Sequence, residues 1–116
     1  MSGAGTLATS QFWGSTVSAL VKATEGRVFA AVAFSANASA RYLMLFNGPL
    51  APVAGQLPFV QVLIGAAANS QQALGPEVFG TDGLRFPLGI AWGVSTTRGS
   101  YTAATAADHD LTLVYI

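Results

Sequence analysis

The run Arg41-Tyr42-Leu43-Met44-Leu45-Phe46-Asn47 leaves a folding chain few options. In an extended strand successive side chains point to opposite faces, so Tyr42, Met44 and Phe46 share one face and Leu43 and Leu45 the other. Both faces are apolar, and each has to be covered. Such a strand is either central in a two-layer sandwich or turns its outer face to a neighbouring subunit. It also opens an interval, from Arg41 to Glu77, that holds no charged side chain between those two residues. Over the whole chain 9% of residues are charged, against roughly 25% in an ordinary globular domain. A surface made of Gly, Ala, Ser, Thr, Asn, Gln and apolar groups gives up little charge hydration when another protein covers it. The composition therefore points to an assembly subunit.

At 116 residues the chain is long enough for one core. The strand-bearing part is expected over residues 17–116 as a single β-sandwich domain, with residues 1–16 as an N-terminal arm that is flexible or bound to a partner. Five basic and five acidic residues cancel, and Lys22, Arg27, Arg41, Arg85 and Arg98 are spread along the chain, so no stripe for nucleic-acid phosphates is expected. The lack of cysteine excludes disulfides and thiolate chemistry. Mean hydropathy is +0.51, but the apolar runs fall far short of the ~20 residues of a spanning helix, and no membrane partner is expected. The start, Met1-Ser2-Gly3-Ala4-Gly5-Thr6, has neither the basic residues nor the apolar stretch of a secretion signal.

Further runs carry the period of two that marks strands. Residues 17–22 form a short β-prone run closed by Ala23-Thr24-Glu25-Gly26. In 27–35, Val28, Ala30, Val32 and Phe34 fall on one face, with Phe29, Ala31, Ala33 and Ser35 on the other. Asn37-Ala38-Ser39 suits a hairpin connection. The stretch Gly48-Pro49-Leu50-Ala51-Pro52-Val53-Ala54-Gly55, with two prolines, predicts a long excursion from one sheet to the other. A strand resumes after Pro58 and runs to Ile64, followed by a small-residue loop over 65–72, with a marginal helix over 66–74 as the alternative. Leu74 to Phe79 is expected as a brief strand, Gly80-Thr81-Asp82-Gly83 as a turn, and 84–97 as the longest strand, bulged or edge-placed because of Pro87. A polar loop over 98–110 precedes the closing strand 111–116. Roughly six to eight short strands, long connections and no convincing helix indicate an all-β fold: a compact β-sandwich or jelly-roll-like domain, with the extended N-terminal arm. Phe12 and Trp13 are adjacent, so an extended backbone directs them to opposite sides, and at least one needs cover from elsewhere in the fold or from another subunit.

Chemistry finds little footing. Asp108-His109-Asp110 is the one cluster that could hold a metal or a general base. Adjacent strand side chains diverge, however, and no spacing brings Glu77 or Asp82 to it, so solvated turn residues are the expected reading. Gly93-Val94-Ser95-Thr96-Thr97 lacks the last glycine of a nucleophile elbow. No catalytic residue, metal ligand or cofactor is expected. Trp13, Tyr42, Trp92, Tyr101 and Tyr115 could line a sugar-binding face, but aromatics scattered over separate segments fit a core or oligomer contacts better. Arg85, between Leu84 and Phe86, must reach solvent or a carboxylate, with Asp82, Glu77 or a neighbouring subunit as the candidates.

Four blocks in order, Arg41 to Asn47, Ala51-Pro52-Val53-Ala54-Gly55, Gly83-Leu84-Arg85-Phe86-Pro87-Leu88-Gly89-Ile90-Ala91-Trp92 and Asp110-Leu111-Thr112-Leu113-Val114-Tyr115, resemble a group of small virion structural proteins of tailed bacteriophages and prophages. The resemblance covers about Lys22 to Ile116. In that group the first block commonly reads as a lysine-leucine-tyrosine type of strand before an alanine-proline turn; Met44 and Phe46 stand here in place of the lysine and tyrosine. The resemblance implies a compact β-domain without enzyme activity, made in the host cytoplasm and built into the virion. A capsid decoration or cement protein on the outer shell, bound to the major capsid protein or neighbouring virion proteins as a homo-oligomer such as a trimer, is the leading expectation. A tail or baseplate subunit is the nearest alternative, and a carbohydrate or host-surface binding module the next. The residues expected at contacts are Phe12, Trp13, Tyr42, Met44, Phe46, Pro49, Leu50, Pro52 and Arg85.

Overall fold

A computed structural model describes residues 7–12, 17–104 and 109–116, Phe12 by its backbone alone. Its elements in chain order are β1 (Ala8–Phe12), β2 (Ser18–Lys22), β3 (Gly26–Ser35), β4 (Arg41–Asn47), β5 (Val60–Gly65), β6 (Ser70–Leu74), α1 (Pro76–Phe79), β7 (Leu84–Phe86), β8 (Ile90–Ser95) and β9 (His109–Tyr115). They form two antiparallel sheets, one ordered β1-β9-β3-β6 with β7 also on β3, the other ordered β2-β8-β4-β5. The fold is a β-sandwich, as expected. Four of the antiparallel pairs, β1 with β9, β2 with β8, β3 with β6 and β4 with β5, join the first half of the chain to the second. A long hairpin rolled up in this way is a jelly roll, with α1 and β7 inserted between its sixth and seventh strands.

The main core lies between the sheets. Leu43, Leu45, Ile90, Trp92 and Val94 enter it from one side; Val28, Ala31, Ala33, Leu74, Phe86, Leu111 and Leu113 enter from the other. The inward face of β3 departs from the simple alternation. Its register on β9 shifts between Val28 and Ala30, so the inward positions change from Val28 to Ala31, Ala33 and Ser35, and Val32 turns outward. One extra residue exchanges the two faces for the rest of a strand.

Several other expectations are corrected. Ala8–Phe12 belongs to the sheet, paired along β9 from Ala8 opposite Tyr115 to Phe12 opposite Leu111; the arm expected over 1–16 is in this part a strand of the domain. The excursion after Gly48 does not cross sheets, because β4 and β5 are neighbours in one sheet. Ser70–Leu74 is a strand on β3 instead of a loop or helix. Pro76–Phe79 is one helical turn where a strand was expected, with proline in its first turn and the Gly75 N–H held by Glu77 Oε1 at 2.9 Å. The stretch 84–97 divides into β7 in one sheet and β8 in the other, and the chain changes sheets at residues 87–89. Gly89 permits that crossing: its φ is +145°, and a Cβ there would stand 2.4 Å from the Gly48 carbonyl oxygen.

Candidate interaction surface

The outer face of the β2-β8-β4-β5 sheet is where the uncharged interval becomes a surface. Met44 and Phe46 point outward from β4, yet both are fully buried, with Ala91 and Tyr101, in a second small core. Tyr101 supplies the lid. Its ring meets Phe46 edge-on, centroids 5.6 Å apart at 80°, and lies so close over Gly93 that a Cβ there would be 2.5 Å from Tyr101 Cε1. Phe46 and Met44 are therefore covered by the chain's own loop and offer no area to another subunit. Tyr42 is half-buried against the same cluster.

Two connections build this outer layer. Residues 48–59 fold back over the sheet and bond to residues 96–104: Gly55 N–H donates to the Tyr101 carbonyl at 2.8 Å, and Tyr101 N–H to the Gln56 carbonyl at 2.9 Å. Gly99 N–H donates to Gln61 Oε1 at 2.6 Å. Ser95, fully buried at the end of β8, ties the second loop: its Oγ accepts from the N–H of Thr97 at 3.1 Å and of Thr102 at 3.0 Å, and donates to the Thr97 carbonyl at 2.8 Å. The hydroxyl that stood in the incomplete nucleophile elbow is thus committed to loop closure.

What the layer leaves facing water is apolar. Leu50 is 73% exposed, Val53 66%, Leu57 75% and Leu63 49%; Phe59, 48% exposed, lies at the rim of the main core, its ring edge-on to Phe86 with centroids 5.0 Å apart. These are half of the ten exposed large apolar side chains among the described residues, and all lie within the uncharged interval. Of the contact residues expected from sequence, Pro49 and Leu50 are exposed here and Pro52 is half-buried above Gly93. Phe12 has only its backbone described, in β1, and Trp13 lies outside the described residues. Val53, Leu57, Phe59 and Leu63 were not picked out, although the charge-free interval that contains them was the available signal.

Charge collects elsewhere. Three of the five bases, dispersed in sequence, meet around Glu25 in the β2–β3 turn. Arg85 Nε pairs with Glu25 Oε2, both side chains half exposed. The Arg85 hydrogen bond and charge hold the Glu25 carboxyl below its usual range, with smaller help from Arg27 and Lys22. Arg27 Nη1 donates to the Asp82 and Gly83 carbonyls at 3.4 and 3.3 Å. Arg85 thus finds a carboxylate within its own chain, sixty residues back. That partner replaces the expected candidates, Asp82, Glu77 or a neighbouring subunit.

His109 is also corrected. It is buried on β9 opposite Ser35, while Asp110 points to the other face opposite Phe34; Asp108 lies outside the described residues. The solvated turn expected there is, at His109, core-facing strand. Trp92 and Tyr101 are buried as well, which removes both from any exposed sugar-binding face. Asn37 makes a local turn in which its Oδ1 accepts the Ser39 N–H at 2.8 Å. Among the described residues no group of three His, Cys, Asp or Glu could hold a metal ion, and no helix is long and apolar enough to cross a membrane. No protein-family model, curated protein or solved structure matches the chain.

Proposed function

We propose that this chain is a non-enzymatic structural subunit of a phage virion, of the capsid decoration or cement type, seated on the outer shell through contacts with the major capsid protein. The observation that carries the reading is the coincidence of two properties in one segment: residues 50–63 hold no charge and expose Leu50, Val53, Leu57, Phe59 and Leu63. Exposed apolar groups rimmed by uncharged polar ones suit a surface that is covered in use. Contacts of modest strength, repeated by the symmetry of a shell, acquire high occupancy together without any one being strong.

The jelly-roll strand order is compatible with this reading but does not select it, since the fold serves capsid, lectin and enzyme domains alike. The sequence resemblance over about Lys22 to Ile116 adds the phage context. A tail or baseplate position uses the same surface and is separated from the shell by location alone. The test is mass spectrometry of purified particles from the encoding phage or prophage, with cryo-electron microscopy of the same particles. Stoichiometric protein with density on the outer shell is the expected result; density on the tail selects the alternative. Absence of the protein from particles refutes both.

A further inference from the structure

A sheet edge is a row of unpaired N–H and C=O groups, and soluble proteins guard such rows with charge, proline, bulges or brevity. The edges of this sandwich are guarded unequally. β2 carries Lys22, and its register on β8 shifts between Leu20 and Lys22. β7 is three residues long and carries Arg85 in its ion pair. β6 presents Ser70, Gln71 and Gln72, and β1 presents Thr9, Ser10 and Gln11; both lack charge and proline as β5 does, but are polar along most of their length. β5 reads Val-Gln-Val-Leu-Ile-Gly, with no charge and no proline. Among the described residues no strand lies on its far side and no backbone hydrogen bond reaches it from there. A short uncharged segment of high β propensity is the kind that pairs edge to edge.

We propose that β5 is a self-association edge: two copies of the chain join β5 to β5, antiparallel about a two-fold axis, and run their β2-β8-β4-β5 sheets into one. Charge identifies the occupant as a second copy. In an isologous contact each residue near the axis meets its own kind, so any charge there would repel itself. From Val60 to Leu74 the chain has none, which covers β5, the turn after it and β6, the adjacent edge of the other sheet. The nearest charges, Arg41 opposite Gly65 on β4 and Arg98 beside the Gly99 that bonds Gln61, lie off the strand itself, so the β5 of another copy meets β5 with no charge on either strand of the joint. With Val62 on the axis, Gln61 faces Leu63 of the second copy, and Val60, Val62 and Ile64 of both copies line one continuous inner face. β-branched pairs of this kind favour a ladder. The regular register of β5 on β4 runs from Val60 to Leu63 and shifts beyond it, so the joint is short, and the dimer should be reversible and concentration-dependent. The inference rests on no part of the virion reading.

The test is analytical ultracentrifugation of the full chain up to about 1 mM, with hydrogen exchange measured at the two ends of that range. The wild type is expected to pass from monomer to dimer, with the amides of Val60 and Val62, which face away from β4, gaining protection as it does. Leu63→Lys adds a guard at a side chain that is already half exposed, so it should leave the circular dichroism spectrum unchanged and weaken the dimer at least tenfold. Leu20→Lys, on the guarded edge β2, should leave the dimer unchanged. The proposal is overturned by a wild-type monomer across the range, by amides of Val60 and Val62 that exchange alike at both concentrations, or by association that Leu63→Lys does not weaken. Pairing of β5 only with a strand of another protein overturns the second copy as occupant. Protein found on particles as a monomer overturns this proposal and leaves the virion reading standing; a β5 dimer absent from particles does the reverse.

Discussion

Tyr101 tests whether the outer layer of the sandwich is part of the folded core or a loop resting on it. The ring is buried, sits edge-on to Phe46 and covers Met44 and Ala91. Replacing a buried aromatic ring by alanine costs about 3–5 kcal/mol in transfer and cavity terms, the edge-on contact accounting for about 1 kcal/mol of that. One feature opposes the loss. The Tyr101 hydroxyl is buried with no hydrogen-bond partner, and burial of such a group costs about 1–3 kcal/mol. Alanine removes that penalty along with the ring, so with the penalty at about 1 kcal/mol, the low end of that range, Tyr101→Ala should destabilise by about 2–4 kcal/mol. Tyr101→Phe keeps the ring and loses only the penalty, so it should stabilise, by about 1 kcal/mol after imperfect relaxation. Urea unfolding followed by tryptophan fluorescence gives both values from the midpoint at constant slope. In thermal unfolding, about 4 °C per kcal/mol is expected for a chain of this size. A Tyr101→Phe protein weaker than wild type by about 1 kcal/mol would show that the hydroxyl is bonded. A Tyr101→Ala protein within about 1 kcal/mol of wild type would show that the loop adds little and that Phe46 is only loosely covered.

Three further outcomes follow from the same geometry. Gly89→Ala meets two backbone oxygens, of Gly48 at 2.4 Å and Lys22 at 2.7 Å, at a φ of +145°; neither can swing aside, and a loss of at least about 2 kcal/mol in urea unfolding is expected. Ser95→Ala leaves the N–H groups of Thr97 and Thr102 without their acceptor and should cost about 1–3 kcal/mol, with hydrogen exchange accelerated in 96–102 before the strands are affected. The depressed Glu25 carboxyl stabilises the fold above the pKa it has when unfolded, and that contribution fades as pH falls through the lower folded value. An NMR titration should place Glu25 below an unperturbed glutamate, and Arg85→Ala should return it, with a small effect on stability that salt weakens further because both groups are exposed.

Periodicity revealed strands where the chain alternates strongly, as in 27–35, 41–47, the run after Pro58 and 111–116. It failed where pairing is set by the neighbour. Ala8–Phe12 and Ser70–Leu74 have few large apolar groups of their own, and each is a strand because it completes the edge of a sheet on β9 or β3. The shift after Val28 has no signature in composition, yet it decides that Val32 faces water and that Ala31 and Ala33 face the core. The pairing of Glu25 with Arg85 was hidden by sequence distance, since only the β3–β7 ladder, with Arg27 opposite Arg85, brings the β2–β3 turn beside β7.

The two apolar faces of β4 pose the question the fold answers, and the answer divides the uncharged interval in two. A strand apolar on both sides allowed either a second layer from the same chain or a neighbouring subunit. For β4 the chain supplies the layer itself: Tyr101 and the 48–59 connection bury Met44 and Phe46. That solution moves the exposed apolar area outward and sideways, to Leu50, Val53 and Leu57 on the covering loop and to Leu63 on the open edge of β5. Neither place carries the charge that would keep it from other proteins. The covering loop presents side chains without free strand hydrogen bonds, which suits docking on a shaped surface such as a shell. The β5 edge presents backbone groups in a row, which suits another strand. The two surfaces therefore ask for different partners. A lysine at Leu63 should disturb self-association while leaving a contact through Leu50 and Leu57 intact.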